Sequence, residues 1–587
     1  MLKKDSTSSV SQTGVEKDIA QYEKAKAKKQ PWLPVYEQIS EMVYTIKAGF
    51  TAERSKASLL NENVYDSTGQ KALFKAASSF VGMLWQNGGK SVLIKEPEGL
   101  KNPTKEELDY YTLMSKKIAL AFDNPKANFI LAFFEYMLDQ LSFGTSGIMA
   151  ERSKEEGVKI KYKNVGVETW CFAEGPDGYV NKAFGEFKMS IENAAAEYGE
   201  DELSEKSRRA LADGQGDQEI RILHIIRPRL KRDVDKAGNQ NMPIQSTHIE
   251  IEAKHRLRDS GFEEMPVNVA RFWKRTNEEY GRSLAMNAMP DILTANQVRE
   301  DRLVANEKRL FPPMGVYSDS LLGTNELDTS ARAVNVFNSQ GLIAGRVDPT
   351  WPIFNVGDVN AANEELIELR DSINEHFFID RLLDFNNTTQ MTLGEAQMRN
   401  NIRSEAIVPL VSRQINEVLT PTTERTVSEL FRMGELGVLK GTPEEQLMLA
   451  NGETPIYIPE RIAKLMVEGK EFYQVSYVTP AARLMQTEDA QGVLKTWEFV
   501  GQVAGVSPQV LDNIDADESL RVIGKAYGAP NGVIRTKKDV EEMRKAMAEE
   551  QQQQAAMMQE QQAAMVEQQS AQAEIMGAEA QAKRGQM

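Results

Sequence analysis

PDILTANQVREDRLVANEKRLFPP, residues 290–313, sets the plan of this chain. Proline suits the first turn of a helix, where the N–H it lacks has no acceptor, and Pro312-Pro313 cannot continue one. The pattern predicts a helix from Pro290 to Phe311, about 22 residues and roughly 33 Å long, a strut. A second helix is expected over DVNAANEELIELRDSINEHFFIDRLL, residues 358–383, with Asp358 as N-cap after Gly357. Its Ala362, Leu366, Leu369, Ile373, Phe377 and Leu383 recur at three- and four-residue steps and face a packed neighbour. The intervening 312–357 carries turn signals at Pro313, Gly315, Gly323, Gly341, Gly345, Pro349 and Pro352, so it reads as compact and non-helical.

Downstream comes a polar stretch, Asp384, Phe385, Asn386, Asn387, Thr388, Thr389 and Gln390, before Thr392-Leu393-Gly394-Glu395, a capping box. A third helix is expected from there to Gly434, kinked at Pro409 and Pro421. Shorter elements follow from Thr442 to Pro530, with a strand over Phe472 to Val478 and helices around Trp497 and Leu520. From Lys537 the chain is low in complexity and rich in Gln, Ala and Met, all strong helix formers. A lone helix, a bundle of several copies and disorder all fit; bundling is preferred, with the methionines as packing residues rather than a sticky surface.

Upstream, residues 1–30 are polar and lysine-rich through Lys24, Lys26, Lys28 and Lys29, and Pro31-Trp32-Leu33-Pro34 halts any helix, so a flexible arm is expected. Helical periodicity begins at Val35 (Ile39, Met42, Val43, Ile46, Phe50) and returns from Leu73 to Trp85 and from Asn128 to Phe143, closed by Gly144. Between Thr145 and Trp273 alternation predicts strands at Val158–Tyr162, Ile220–Ile226 and Thr247–Ile251, interrupted by a polar helix over Ile191–Ala212. The fold class is α+β, mainly helical.

With 587 residues several domains or one extended subunit are expected, and no apolar run is long enough to cross a bilayer. The polar opening makes a secretory signal unexpected, which favours cytoplasmic synthesis. The formal charge of −16 argues against a general nucleic-acid binder but suits a passage that repels phosphates. Cys171, the single cysteine, excludes an internal disulfide and reads as buried between Trp170 and Phe172.

Several motifs invite a chemical reading. Gly88-Gly89-Lys90-Ser91 has Leu84 where a phosphate-binding loop needs glycine, so it reads as a helix end and turn. His248, Glu250 and Glu252 share one face of a strand, with His255 beyond, a pattern that describes a solvated strand better than a metal site. Asp512, Asp515 and Asp517 lack the calcium-loop glycine and glutamate and are expected to cap the helix at Leu520. No catalytic constellation, metal site or cofactor is expected. Arg299, Arg302, Lys308, Arg309 and Arg346, around the strut and the segment after it, either line a lumen or pair with Glu300, Asp301 and Glu307 of neighbouring copies, and inter-subunit pairing is preferred.

A family resemblance rests on the order of several pieces. Phe377-Phe378-Ile379-Asp380, Met391-Thr392-Leu393-Gly394-Glu395-Ala396, Ile407-Val408-Pro409-Leu410 and Glu429-Leu430-Phe431 resemble the corresponding stretch of podovirus head-to-tail connecting proteins, the portal family. Tyr280-Gly281-Arg282-Ser283-Leu284-Ala285 and Ala288-Met289-Pro290-Asp291-Ile292 are similar to that family's lead into its first stem helix, and Phe311-Pro312-Pro313-Met314 to its exit. Val408-Pro409 stands where the family often has Gly-Pro, and Leu393-Gly394 where Ala-x is frequent. The likeness is good over about 35–435 and weaker beyond.

The resemblance implies a non-enzymatic subunit of a ring, typically a dodecamer with a central channel, at one vertex of a virion capsid. Its parts would be an arm (1–30), a wing (31–285 and 392–435), stem helices (286–311 and 358–383), a clip (312–357), a tunnel loop facing DNA (384–391), a crown (436–536) and a helical or disordered tail (537–587). Implied partners are double-stranded DNA passing non-specifically, the terminase large subunit, tail adaptor proteins, and major capsid and scaffolding proteins, with assembly in the host cytoplasm and no membrane. The rival reading is an intracellular scaffold or enzyme whose helices pack within one monomer.

Overall fold

A computed structural model of the chain describes all residues except 1–4, 48, 52–60, 87–90, 98, 101–102, 231, 233–237, 239–240, 319–326, 339–349, 354–359, 380–408, 451–454, 480–491, 503–513, 527–534, 536 and 585–587. The chain divides into two compact units: one of 1–92, 117–436 and 477–485, the other of 93–116, 437–476 and 486–587.

The first unit opens with α1 (Asp5–Lys29), which corrects the expected arm. Val15, Tyr22 and Ala25 are buried against Cys171, Phe184, Leu223, Ile225 and Ile249, so one sparse apolar stripe holds the helix to a sheet. Two of its lysines tie it down: Lys26 pairs with Glu186 at 3.3 Å, and Lys29 Nζ donates to the carbonyls of Glu168 and Trp170. Asp18, buried, accepts from Arg227 at 2.6 Å and Arg256 at 3.2 Å. The Pro-Trp-Leu-Pro stretch does not stop the chain from coiling. A 3₁₀ turn at Gln30–Trp32 leads into α2 (Leu33–Met42), because each proline falls in a first turn that needs no N–H there.

In chain order follow α3 (Thr68–Leu84), β1 (Val92–Lys95), α4 (Lys105–Asp123) and α5 (Phe129–Phe143), of which residues 93–116 belong to the second unit. α5 is buried over most of its surface and closes at Gly144 in the left-handed region, φ 76°. Phe122, Phe129 and Trp85 form an aromatic centre with ring centroids 4.5–4.9 Å apart.

The strand region is larger than the sequence showed. β2 (Thr145–Arg152) lies between β3 (Ile160–Gly166) and β9 (Val267–Arg271) in a three-stranded antiparallel sheet. β4 (Trp170–Glu174), β5 (Val180–Ser190), β6 (Glu219–Pro228), β7 (Ile244–Glu250) and β8 (His255–Phe262) form a five-stranded sheet in sequence order. The single polar helix expected over 191–212 is two, α6 (Ile191–Tyr198) and α7 (Glu205–Ala212), parted at Gly199 with φ 99°. Ile191, Ala194 and Leu203 pack on Ile220, Ile222 and Leu257, so this sheet carries α1 on one face and α6 with its neighbours on the other.

That sandwich overturns the solvated reading of His248. His248 opposes His224 across β6 and β7, the rings nearly parallel (18°) and 3.9 Å apart. Burial foremost, then the nearby charge of Arg258, lowers His248 to about 4, and burial also holds His224 well below its ordinary value. Both are neutral in the folded protein, while an unfolded histidine protonates near pH 6.5. Unfolding therefore takes up protons at acid pH, so this contribution is whole above about pH 6.5 and is lost as pH falls towards 4. Denaturant unfolding should show on the order of 2–3 kcal/mol lost between pH 7 and 4.5 through His248. His248→Gln should flatten that slope; a wild-type profile flat over this range would contradict it.

α8 (Leu284–Leu310) begins six residues before Pro290, the expected start. Ser283 caps it, and Leu284, Ala285, Ala288 and Met289 are buried, which offsets the hydrogen bond Pro290 cannot donate. The following segment is a sheet of β10 (Met314–Ser318) flanked by parallel β11 (Val334–Asn338) and antiparallel β12 (Thr350–Pro352). α9 (Asn360–His376) ends before the expected Leu383, with Phe378 at φ 58°. From Pro409 the chain is helical, and a π turn at Ile415–Leu419 precedes α10 (Thr420–Arg432). The expected disturbance at Pro421 takes that form: the wider turn makes room for a ring with no N–H to donate. α10 closes on Gly434, φ 73°.

The second unit holds α11 (Pro443–Ala450), α12 (Glu460–Val467), β13 (Gln474–Tyr477), α13 (Ala516–Ala526) and α14 (Lys537–Arg584). Glu107, buried, forms a capping box with Thr104 and accepts from Arg461 at 3.3 Å. Asp515 caps α13 as expected, accepting from the Glu518 N–H at 2.9 Å; Asp517 instead pairs with Arg544, and Asp512 lies outside the described residues. α14 is one helix of 48 residues, roughly 72 Å, with Met543, Met547, Met557, Met558, Met565 and Met576 exposed.

Candidate functional site

The hairpin of α8 and α9, with the small sheet between them, is built outward from a glycine contact. Gly144 ends α5 against the backbone of Gly281 and Arg282, so close that a Cβ on Gly144 would lie 2.4 Å from the Gly281 carbonyl oxygen. The Gly281 N–H donates to Thr145 Oγ1 at 2.7 Å. Ser283 Oγ donates to the Ser142 carbonyl at 2.7 Å and accepts from the Met286 N–H at 3.0 Å, which sets where and in which direction α8 leaves the body.

Polar clamps then align the two helices. Buried Asn296 accepts from the Tyr65 and Asp66 N–H groups and donates to the Asn63 carbonyl at 3.0 Å, so three of its four hydrogen-bonding positions face one loop. Asp66 accepts from Arg370 of α9 at 2.6 Å. Burial opposes ionisation of Asp66, but hydrogen bonds from Thr68 and Arg370 prevail and lower its pKa. Ser372 donates to Asp291 at 2.6 Å, and His376 Nε2 lies 3.4 Å from the same oxygen. At the far end the Arg332 guanidinium covers the Phe311 ring at 4.0 Å, and the Ile353 N–H donates to the Pro313 carbonyl at 2.9 Å, joining strut to sheet. Gly315 is required there: a Cβ would meet the Trp351 ring at 2.6 Å.

The predicted charges divide. Arg302 donates to Asn363, an intra-hairpin contact, and Asp301 accepts from Gln297 at 3.0 Å. Lys308 and Arg309 occupy the last turn of α8, where cations complement the helix dipole. Arg299 is half-buried on the same helix, and Arg346 lies outside the described residues. So do Asp384 to Gln390, and with them the expected tunnel loop. The clamps escaped sequence reading because Asn296, Asp66 and Asp291 meet partners from distant segments; only the apolar surroundings of Asn296 on a helix hint at burial.

Ser91 Oγ, from the Gly-Gly-Lys-Ser motif, donates to the Gln86 carbonyl at 2.6 Å and accepts its N–H at 2.7 Å; Gly88, Gly89 and Lys90 lie outside the described residues. Cys171 is buried, and burial raises its thiol pKa. Among the described residues no group of three His, Cys, Asp or Glu side chains is placed to hold a metal ion, and no helix is long and apolar enough to cross a membrane.

The fold is thus an α+β body with a hairpin of two clamped helices that carries a three-stranded sheet. The chain belongs to the bacteriophage head to tail connecting protein family, whose model matches residues 16–534. It is 23% identical over 550 residues to the "Probable portal protein" of Bordetella phage BPP-1, covering 90% of each chain. To the "Portal protein" of Salmonella phage epsilon15 it is 24% identical over 423 residues, 70% of this chain and 68% of the relative. A chain in the neck of an empty gene transfer agent particle aligns with 75% of this one at 13% identity and a TM-score of 0.32, too slight a likeness to bear on the fold.

Proposed function

We propose that the chain is the portal subunit of a bacteriophage: a ring at one capsid vertex of the virion through which DNA is packaged and ejected, and a platform for terminase and tail proteins. The match over residues 16–534 carries this reading, together with a likeness over 90% of the chain to a phage protein named as a probable portal. In these terms α8 and α9 are the stem, β10–β12 belong to the clip, and residues 384–391 face the DNA. Arg299 and Arg309 reach neighbouring subunits. The negative net charge suits a conduit from which DNA must slide freely.

Native mass measurement and particle imaging of the purified protein test the ring. The expected result is a closed oligomer, near twelve copies, with a central hole; a monodisperse monomer under all assembly conditions would overturn it. Deletion of residues 385–389 should leave the ring intact while packed DNA is lost more readily from particles. Unchanged packaging and retention would remove the loop from the mechanism.

A further inference from the structure

Between α7 and the ends of β6 and β7 in the five-stranded sheet lies a cavity of about 110 Å³ lined by Ile191, Lys206, Ser207, Ala210, Gln218, Glu219, Ile220, Glu250 and Glu252. Its distinguishing group is Glu250, 1% exposed. One carboxylate oxygen accepts from Ser207 Oγ at 2.8 Å; the other is buried and has no partner. A buried carboxylate oxygen left unmatched is costly, so a donor there gains more than one at the surface. Glu219 and Glu252 add negative charge along the lining. Glu252 is already engaged by Arg221 at 2.5 Å, and Lys206 forms no ion pair among the described residues.

The rest of the lining selects the donor. Ile191, Ala210 and Ile220 are apolar walls, unsuited to a hydrated divalent ion, which needs several oxygen ligands. The volume equals about three or four waters at roughly 30 Å³ each, room for a short alkyl chain ending in one amine. We infer that this cavity is a binding site for a primary alkylammonium group, its N–H donors directed to the free oxygen of Glu250 and its methylenes against Ile191, Ala210 and Ile220. The chemistry is shared by a free diamine and by a lysine side chain of a second copy.

The test is thermal unfolding of the full chain with 1,4-diaminobutane, against sodium chloride of equal ionic strength and against uncharged 1,4-butanediol. A saturable rise in Tm with the diamine alone is expected, kept in Lys206→Ala. In Glu250→Gln the apparent affinity should fall about tenfold or more, since a charge-assisted hydrogen bond is lost. Glu219→Gln, at an exposed position, should fold normally and weaken the effect a few-fold, so the inference stays testable if the buried variant is unstable. Mass measurement separates the sources: unchanged assembly with diamine bound indicates a free ligand, and smaller species at saturating diamine indicate competition with a partner's lysine. No saturable rise over sodium chloride, an equal rise with magnesium chloride, or an undiminished rise in both glutamine variants would overturn the inference.

Discussion

Gly144→Ala is expected to lower the stability of the first unit by about 3 kcal/mol or more, from the left-handed backbone penalty combined with a steric clash. Gly144 sits at φ 76°, and its Cβ would fall 2.4 Å from the Gly281 oxygen and 2.7 Å from the Arg282 carbonyl carbon. Backbone cannot swing aside as a flexible side chain can. The chain from Gly281 to Ser283 must shift, and with it the Ser283 cap that aims α8. The control is Gly157→Ala, at φ 81° with nothing within 4 Å of the added Cβ. That variant should lose only the conformational part, about 1–2 kcal/mol. Denaturant unfolding of both compares the two effects; equal losses would show that the Gly144–Gly281 contact has no energetic weight. If the chain forms the proposed ring, assembly should suffer in Gly144→Ala alone, because only there does the start of α8 move.

Arg271→Met should cost about 2–3 kcal/mol near neutral pH, because the buried guanidinium's charge-assisted hydrogen bonds to a half-buried carboxylate and to a carbonyl are lost. Arg271 is 1% exposed; it donates to Glu174 at 2.6 Å and to the Gly178 carbonyl at 2.6 Å. Glu417, on the π turn, accepts from the Arg271 N–H at 3.4 Å. Burial raises the Glu417 pKa, and the Arg271 charge is the foremost influence lowering it. Without that charge Glu417 ionises less readily in the folded protein, so its folded pKa rises further above the unfolded one. Its ionisation then costs stability as pH rises, and protonation relieves it as pH falls. The deficit of Arg271→Met relative to wild type should shrink between pH 8 and pH 5, and unfolding curves at both pH values measure it. A deficit independent of pH would mean that packing, not charge, is what Arg271 supplies.

Local chemistry in the sequence determined much of this chain. Pro312-Pro313 ends α8 because no helix passes two prolines, and Gly144 and Gly434 close helices because they tolerate positive φ. Alternation found β6 and β7, and the three- and four-residue stripe of Leu366, Ile373 and Phe377 gave α9 its buried face. The order of such pieces sufficed to place the chain in its family.

Tertiary structure decided what depends on surroundings. Residues 5–29 look solvated because a helix laid on an existing sheet needs only a few apolar contacts, here Val15, Tyr22 and Ala25, when lysines reach acceptors at its rim. Pro290 lies inside α8 because burial of the preceding turn outweighs one missing hydrogen bond. Glu250 is buried and His248 half-buried because α6 and α7 cover a strand whose polar alternation reads as solvent-facing. Periodicity reports which side chains share a face; what covers that face is set by segments far away in the chain, and that made the clamps of the hairpin and the Glu250 cavity visible only in the folded molecule.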